Sequence, residues 1–419
     1  MNDYFRGQGD GLLTKAGRRL FPLGFYEFPK DDAQLKAMAE AGVNLVRCGS
    51  KEDLDRVKSL GMMGWISLAV HSGVTDNLRK QIESVVDHPA LAVWEGPDEV
   101  VWNFTAWSHL WRKDRLGVFE HEGEWWMQTP LVIEYSETKA KEIMPNMHAA
   151  IQLVRSLDKH NRQFWINEAR DSDLKFVRQY LDYVDITGCD DYPIRRDNRD
   201  AVRVGTSTER WKQVGSGRPV WMVLQGFSWS DLEEHDRAVA YPTFAESRLM
   251  AYDCIAHGAR GILYWGSSYL KSPGFEAFRE SLYALTSELA ALQLFLTAPE
   301  ERYAQVGVIE RRRRTETVPK AENLGDTVYT ELGVRMTARR TGRDWLIILV
   351  NEDNKIQMGV EVSGLDDLNG MDFVLLYGDE TVTVKRGELV TRMMPHEVKI
   401  FATSRKWETD RRKGRDFAK

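Results

Sequence analysis

Two adjacent carboxylates, Asp98 and Glu99, close the stretch Leu91-Ala-Val-Trp-Glu-Gly-Pro-Asp-Glu99. Leu91 to Trp94 reads as a buried strand, and Gly96-Pro97 as the break beyond it. Paired carboxylates suit acid/base work on a glycosidic bond: one group gives a proton while the other attacks carbon or activates water. The simpler use of Asp98 is to cap a following helix. Similar groups recur after other apolar runs: Tyr26 and Glu27, Arg47, His71, Asn167 and Glu168, Asp190 to Tyr192, Gln225 to Trp229, and Trp265. Carboxylates, amides and aromatic rings on one rim suit a sugar, which has hydroxyls at its edge and C–H groups on its faces. Each has a plainer use. Glu27 suits a turn, Arg47 an ion pair holding the rim, Asp190 a loop cap, and Trp265 a core. Three acidic strand ends in close succession nevertheless carry a free-energy cost that capping does not offset.

Such a rim needs a scaffold that brings many strand ends together. Over the first 300 residues short apolar runs alternate with amphipathic helical patterns. The runs are Phe21–Phe28, Val43–Cys48, Met63–Val70, Leu91–Glu99, Phe164–Ala169, Val184–Tyr192, Pro219–Phe227 and Gly261–Gly266. Helices are expected at Asp31–Ala41, from about Lys51 to Leu60, at Asp76–Asp87, Ser136–Lys159, Asp173–Leu181, Pro242–His257 and Phe275–Leu296. Eight β/α units in about 280 residues predict a (β/α)8 TIM barrel, whose C-terminal strand ends form the site. A doubly wound sheet is the runner-up, but its Gly-rich phosphate loop is missing after the first strand, where Phe25-Tyr-Glu-Phe-Pro29 stands. The rhythm breaks over residues 100–135, an insertion carrying Trp102, Trp107, Trp111, Trp125 and Trp126. Such a segment shapes a cleft or forms a private core. Past Ala298 short strands separated by turns predict a small all-β sandwich domain over residues 299–404, and Arg405 to Lys419 reads as a charged, disordered tail.

Composition narrows the classes. The net charge of −6 argues against a nucleic-acid groove. The basic runs Arg311–Arg314 and Arg411–Arg415 lie far from the carboxylates and read as solvated. Fourteen Trp favour a carbohydrate ligand, although Trp also fills cores. Three Cys without CxxC spacing exclude a disulfide framework and a cysteine zinc site. No metal and no cofactor is expected; oxygen ligation by Asp98, Glu99, Asp190 and Asp191 is a minor third reading without HxH or HExxH spacing to support it. No run reaches the ~18 apolar residues of a membrane helix. The opening Met1-Asn-Asp-Tyr-Phe-Arg has no apolar core of a signal peptide, so the expected location is cytoplasmic, or secreted if a leader was removed.

On these strand ends the chain resembles glycoside hydrolases built on a (β/α)8 barrel with a C-terminal β-sandwich. The resemblance implies that Glu99 holds the acid/base place at the end of strand 4, and that Trp265 matches the family's Trp at the end of strand 8. The Asp98-Glu99 pair looks more like hexosaminidase-type barrels, where the Asp orients a substrate group. The departure is strand 7, where Gln225 stands at the family's nucleophile position and cannot attack as a carboxylate. The resemblance therefore implies a second carboxyl elsewhere, Asp190 or Glu168, with Asp190 favoured because strand 6 leaves room for a sugar. Asn167-Glu168 also has the look of an acid/base motif. Substrate contacts are expected from Asp98, Glu27, Arg47, Asn167, Asp191, Tyr192, Gln225, Trp229, Trp265 and Trp102. The expected function is hydrolysis of an oligo- or polysaccharide; the alternative is a carbohydrate-binding barrel without hydrolysis, motivated by Gln225.

Overall fold

The structure is a computed structural model describing residues 9–108, 128–232, 238–266, 270–302, 304–308, 312–318 and 326–409. Eight parallel strands close into a barrel: β1 (Leu23–Phe25), β2 (Leu45–Cys48), β3 (Met63–Ser67), β4 (Leu91–Glu95), β5 (Gln163–Ala169), β6 (Ile186–Asp191), β7 (Val220–Gln225) and β8 (Gly261–Trp265), with β8 pairing back to β1. The outer ring includes α1 (Asp32–Glu40), α2 (Lys51–Ser59), α3 (Asp76–Val85), α4 (Val100–Phe104), α5 (Pro130–Leu157), α6 (Leu174–Tyr180), α7 (Arg203–Val214), α8 (Phe244–Ala256) and α9 (Phe275–Ala291). No helix among the described residues is long and apolar enough to cross a membrane.

Strand alternation explains both cores. Outward residues such as Val46, Phe164, Ile166, Met222 and Ile262 join the helical shell, while inward residues Leu45, Trp65, Val93, Trp165, Ile186, Trp221, Val223 and Leu263 fill the barrel. Trp165 packs at 6.1 Å from Trp65 and 5.1 Å from Trp221, ring centre to ring centre. Tyr26 lies above them, 5.3 Å from Trp65. Trp221 donates its indole N–H to the Gly11 carbonyl, so the segment ahead of an N-terminal hairpin (Leu13–Lys15 with Arg18–Leu20) seals the floor.

Several expected boundaries shift. The fourth strand ends at Glu95, not Glu99, because Gly96-Pro97 turns the chain out of the sheet. The long helix begins at Pro130, where proline suits a first helical position. Helix α7 answers to no expected element. Its buried residues Val204, Thr208, Trp211 and Val214 carry helical spacing, but Gly205 and polar neighbours dilute the pattern. Trp111, Trp125, Trp126, Arg311 and Arg411–Arg415 lie outside the described residues.

The C-terminal module has a five-stranded antiparallel sheet (order Val334–Thr341, Asp344–Asn351, Val398–Ala402, Asp372–Leu375, Thr381–Thr383) facing a three-stranded one (Gln305–Val308, Met358–Ser363, Leu389–Met393), with a further hairpin at Arg312–Val318 and Asp326–Leu332. Ile347, Leu349 and Phe401 point into the sandwich, whereas Leu346, Ile348, Val350 and Ile400 join the barrel's outer core. That double burial is why Leu346-Ile-Ile-Leu-Val350 is apolar without a break. Arg248 on α8 donates to the Val398 carbonyl at 2.9 Å, fastening helix to sheet. The expected tail is ordered at its start. Trp407 packs 4.8 Å from Phe295, and Glu408 accepts the Tyr377 amide at 2.9 Å.

Candidate active site

The mouth is built around Asn167, which alternation on β5 turns inward. Its side-chain amide donates to Asp98 Oδ1 and to Asp190 Oδ2, both at 3.0 Å. Asp190 also accepts the Tyr192 hydroxyl at 3.3 Å, and Asp98 the Tyr26 hydroxyl at 3.5 Å. The Glu99 and Asp190 carboxyls are close enough to act on each other's ionisation, which lowers Glu99, raises Asp190 and leaves a proton held between them on Asp190. Burial, and then the Glu99 charge, push Asp190 well above the usual carboxylate range. Burial pushes Glu99 up to about 7, the hydrogen bond to Asp190 opposing and the Asp98 charge adding to it. The two titrate as a unit. Burial raises Asp98 too.

Glu99 sits at the start of α4 with φ of 51°, a left-handed conformation that a non-glycine residue adopts at a cost of about 1–2 kcal/mol. The surroundings impose it. The Glu99 amide donates to the Asn167 carbonyl at 2.9 Å, and Asn103 Nδ2 donates to the carbonyls of Asp98 and Glu99 at 3.1 and 2.9 Å. The Gly-Pro turn and the bent Glu99 together aim two successive side chains at the barrel axis.

Below them lies Glu95, which the sequence reading passed over. It is fully buried, accepts the Trp65 indole N–H at 3.1 Å and pairs with Arg47 at 3.5 Å. Burial lifts it to about 7 although the Arg47 charge pulls down. The signal was available: Glu95 is two residues beyond inward Val93 and is the true last residue of β4. Arg47 is inward as expected, 5.6 Å from the Tyr26 ring centre.

Aromatic side chains pack together on one side of the mouth. Tyr192 stacks on Trp265 (5.7 Å, 24°), Phe227 meets Trp265 edge-on at 5.1 Å, and Trp229 lies 5.3 Å from Phe227. Trp229 donates its N–H to the Tyr192 carbonyl at 3.2 Å and carries the Arg195 guanidinium 3.6 Å from its ring centre. Glu27 is buried at the junction of β1 and β8, accepting the Gly266 amide.

Two expected site residues are placed elsewhere. Glu168 and Asp191 follow inward residues on their strands and therefore face outward. Glu168 accepts from the Val101 and Trp102 amides (3.0 and 3.4 Å), Ser172 Oγ (2.7 Å) and the Tyr180 hydroxyl (3.2 Å). It caps α4 from beneath, so it holds the helix that Glu99 begins. Burial lifts its carboxyl to about 8 despite these donors. Asp191 pairs with Arg203 and accepts Ser207 Oγ at 2.7 Å, securing α7. Gln225 spends its amide on backbone. It accepts the Ile194 N–H at 2.9 Å and donates to the carbonyls of Ile194 (2.8 Å) and Phe227 (3.0 Å). Trp102 lies on α4, partly exposed, and His71 is exposed on a turn after β3.

The sequence matches no family model and no curated protein. Solved structures do match. An arabinofuranosidase is similar over 95% of this chain and 94% of its own (11% identity, TM-score 0.50), and the β-galactosidase of Rahnella sp. R3 over 93% and 99% (11% identity, TM-score 0.50). The β-galactosidase of Marinomonas ef1 matches at 14% identity and a TM-score of 0.43 over 65% of this chain, which spans about 60% of that enzyme's length. At these identities the likeness is one of fold: a TIM barrel followed by a β-sandwich.

Proposed function

We propose that this chain is a glycoside hydrolase in which Glu99 and Asp190 divide the acid and nucleophile/base roles on an oligo- or polysaccharide. The observation that carries the reading is the cluster of Asp98, Glu99 and Asp190, two of them held at 3.0 Å by Asn167, set in a mouth walled by Tyr192, Trp265 and Phe227. Neighbours of this fold bear the names of glycosidases, which supports the same reading.

Roles follow from position. Glu99 is partly exposed at the rim, where a leaving-group oxygen has to pass; the proton that the closed pair leaves on Asp190 has to move to Glu99 as the sugar enters, for Glu99 to act as the general acid. Asp190 is 6% exposed and clamped by Asn167 and Tyr192, as befits a group that approaches the anomeric carbon from a fixed point. Substrate has to part the pair. A sugar entering between the two carboxyls sets their working separation, roughly 5–5.5 Å for retention or roughly 6.5–9.5 Å for inversion. Asp98, held by Asn167 and Tyr26, is placed to orient a substrate group beside Glu99. Glu95 and Arg47 form the floor, where a cation and a raised carboxyl suit sugar hydroxyls. Stacking on Trp265 supplies the apolar face.

Gln225 does not weigh against hydrolysis. Its amide must both donate and accept to hold the Tyr192–Ile194 segment, a task glutamate cannot perform. The test compares turnover by wild type and Glu99→Gln across aryl glycosides and natural oligosaccharides. Loss in the variant supports the assignment, and equal turnover overturns it.

A further inference from the structure

Away from the mouth, the barrel meets the C-terminal sheets at a buried group of titratable side chains that the reaction does not use. Asp253 lies on the face of α8 next to the sheet, and His257 caps the same helix one turn later. Glu352 follows the strand Asp344–Asn351. The three are 0%, 6% and 3% exposed, and one ligand atom from each lies within 4.8 Å of the others. His257 Nε2 faces both carboxylates, 2.9 Å from Glu352 Oε1 and 3.7 Å from Asp253 Oδ1.

We propose that Asp253, His257 and Glu352 form a site for a divalent transition-metal ion, zinc foremost, which ties the barrel to the C-terminal sheets.

Three independent observations point to a cation. First, neither carboxylate oxygen of Asp253 has a hydrogen-bond partner among the described residues, although the residue is wholly buried. The neighbouring Gly205 amide donates to the Val202 carbonyl at 3.2 Å and reaches Asp253 only closely enough to pull its carboxyl down against burial. A buried carboxylate without donors is costly unless something positive meets it. Second, the imidazole is prepared as a ligand. His257 Nδ1 lies 3.0 Å from Glu209 Oε2, and the His257 carbonyl accepts Lys212 Nζ at 2.7 Å. A carboxylate on Nδ1 keeps a proton there, the arrangement that orients zinc-bound histidines, and the proton that Nε2 shares with Glu352 Oε1 is the one a metal ion would displace. Glu352 is likewise braced: Oε2 takes Arg335 Nε at 3.1 Å and the Gly333 amide at 3.4 Å, leaving Oε1 toward His257. Third, α7 makes room. A Cβ at Gly205 would stand 2.2 Å from Asp253 Oδ2, so only glycine permits the approach.

The donor set selects the ion. One imidazole and two carboxylates suit zinc and its neighbours, whereas calcium and magnesium take all-oxygen shells. Bond lengths of about 2.0–2.2 Å place tetrahedral ligand atoms about 3.4 Å apart. The 2.9 and 3.7 Å separations from His257 bracket that value, and the two carboxylates lie within 4.8 Å of each other, so side-chain rotation would have to close the site.

The test uses the full chain purified without a metal-affinity tag. Elemental analysis is expected to find about one equivalent of zinc or a neighbouring transition metal. Chelator dialysis is expected to lower Tm by about 3–6 °C, the size of shift for a ligand held well above its Kd, and zinc to restore it. Asp253→Asn, nearly isosteric, should abolish the zinc response while melting no lower than chelated wild type, because it removes a buried charge. Glu209→Gln, at a half-exposed position, should fold normally and weaken zinc binding roughly 10- to 100-fold. Wild type that neither retains metal nor responds to added zinc would overturn the proposal, as would equal zinc binding by wild type and Asp253→Asn.

Discussion

Asn167 is the residue through which the geometry of the mouth becomes a pH dependence. One side-chain nitrogen donates to Asp98 and Asp190 at 3.0 Å each, and both bonds favour the ionised carboxylates, pulling down pKa values that burial has raised. Asn167→Ala removes both. A hydrogen bond to a charged group contributes about 1.5–3 kcal/mol, and 1.36 kcal/mol corresponds to one pKa unit, so each carboxyl should rise by roughly 1–2 units. Water entering the vacated space would restore part of each bond, which favours the lower end. The acidic limb of kcat/KM against pH, set by Asp190, should therefore move upward by about one unit, with activity at pH 7 reduced. Carboxyl 13C shifts followed through a titration give the same answer without substrate. Profiles of wild type and Asn167→Ala that coincide within 0.3 units, by the criterion of about one unit above, would refute the claim that Asn167 sets the ionisation of the pair.

Two further outcomes follow from the same structure. Burial raises Glu95 and Glu99 to about 7 and Glu168 and Asp253 to about 8, so the folded chain holds protons that the unfolded chain releases above about 4.5. That stability is complete below the unfolded values and fades as pH rises through 7 and 8; urea unfolding of metal-free protein should give a free energy lower at pH 8 than at pH 5, by about 1 kcal/mol or more per pH unit at the steepest. Gln225→Glu replaces an amide that donates to two carbonyls with a carboxylate that cannot, so it should cost about 2–4 kcal/mol of stability by denaturant unfolding. It should raise no new activity, although it restores a carboxylate to strand 7.

Much of the architecture was legible because it rests on periodicity. Short apolar runs such as Phe164–Ala169 and Gly261–Gly266 are strands within a residue or two, and the closed barrel follows from their alternation with helices. The site was legible in its composition but not in its facing. Adjacent polar pairs at strand ends, Asn167-Glu168 and Asp190-Asp191, were read as joint contributors to the mouth. Successive strand residues point to opposite sides, so only Asn167 and Asp190 face in, while Glu168 and Asp191 hold α4 and α7 from behind. Anchoring alternation on buried Trp165 and Ile186 would have separated them. Glu95 was missed because the strand was extended across Gly96-Pro97 to Glu99. Asp98 and Glu99 escape the alternation rule only because they lie beyond the strand, in a turn whose left-handed Glu99 no local pattern announces. The Asp253–His257–Glu352 group was beyond the sequence, since 95 residues separate His257 from Glu352 and only the packed sheet unites them.

The most direct test of the account is the turnover of Glu99→Gln beside wild type on a panel of oligosaccharides, with the first-formed anomer followed by NMR. The account predicts wild-type hydrolysis that falls roughly 100- to 10,000-fold in the variant, at unchanged Tm. Retention of configuration would mean that Asp190 attacks the sugar, and inversion that it activates water. A variant as active as wild type, or a wild type that binds sugars and hydrolyses none, would contradict it.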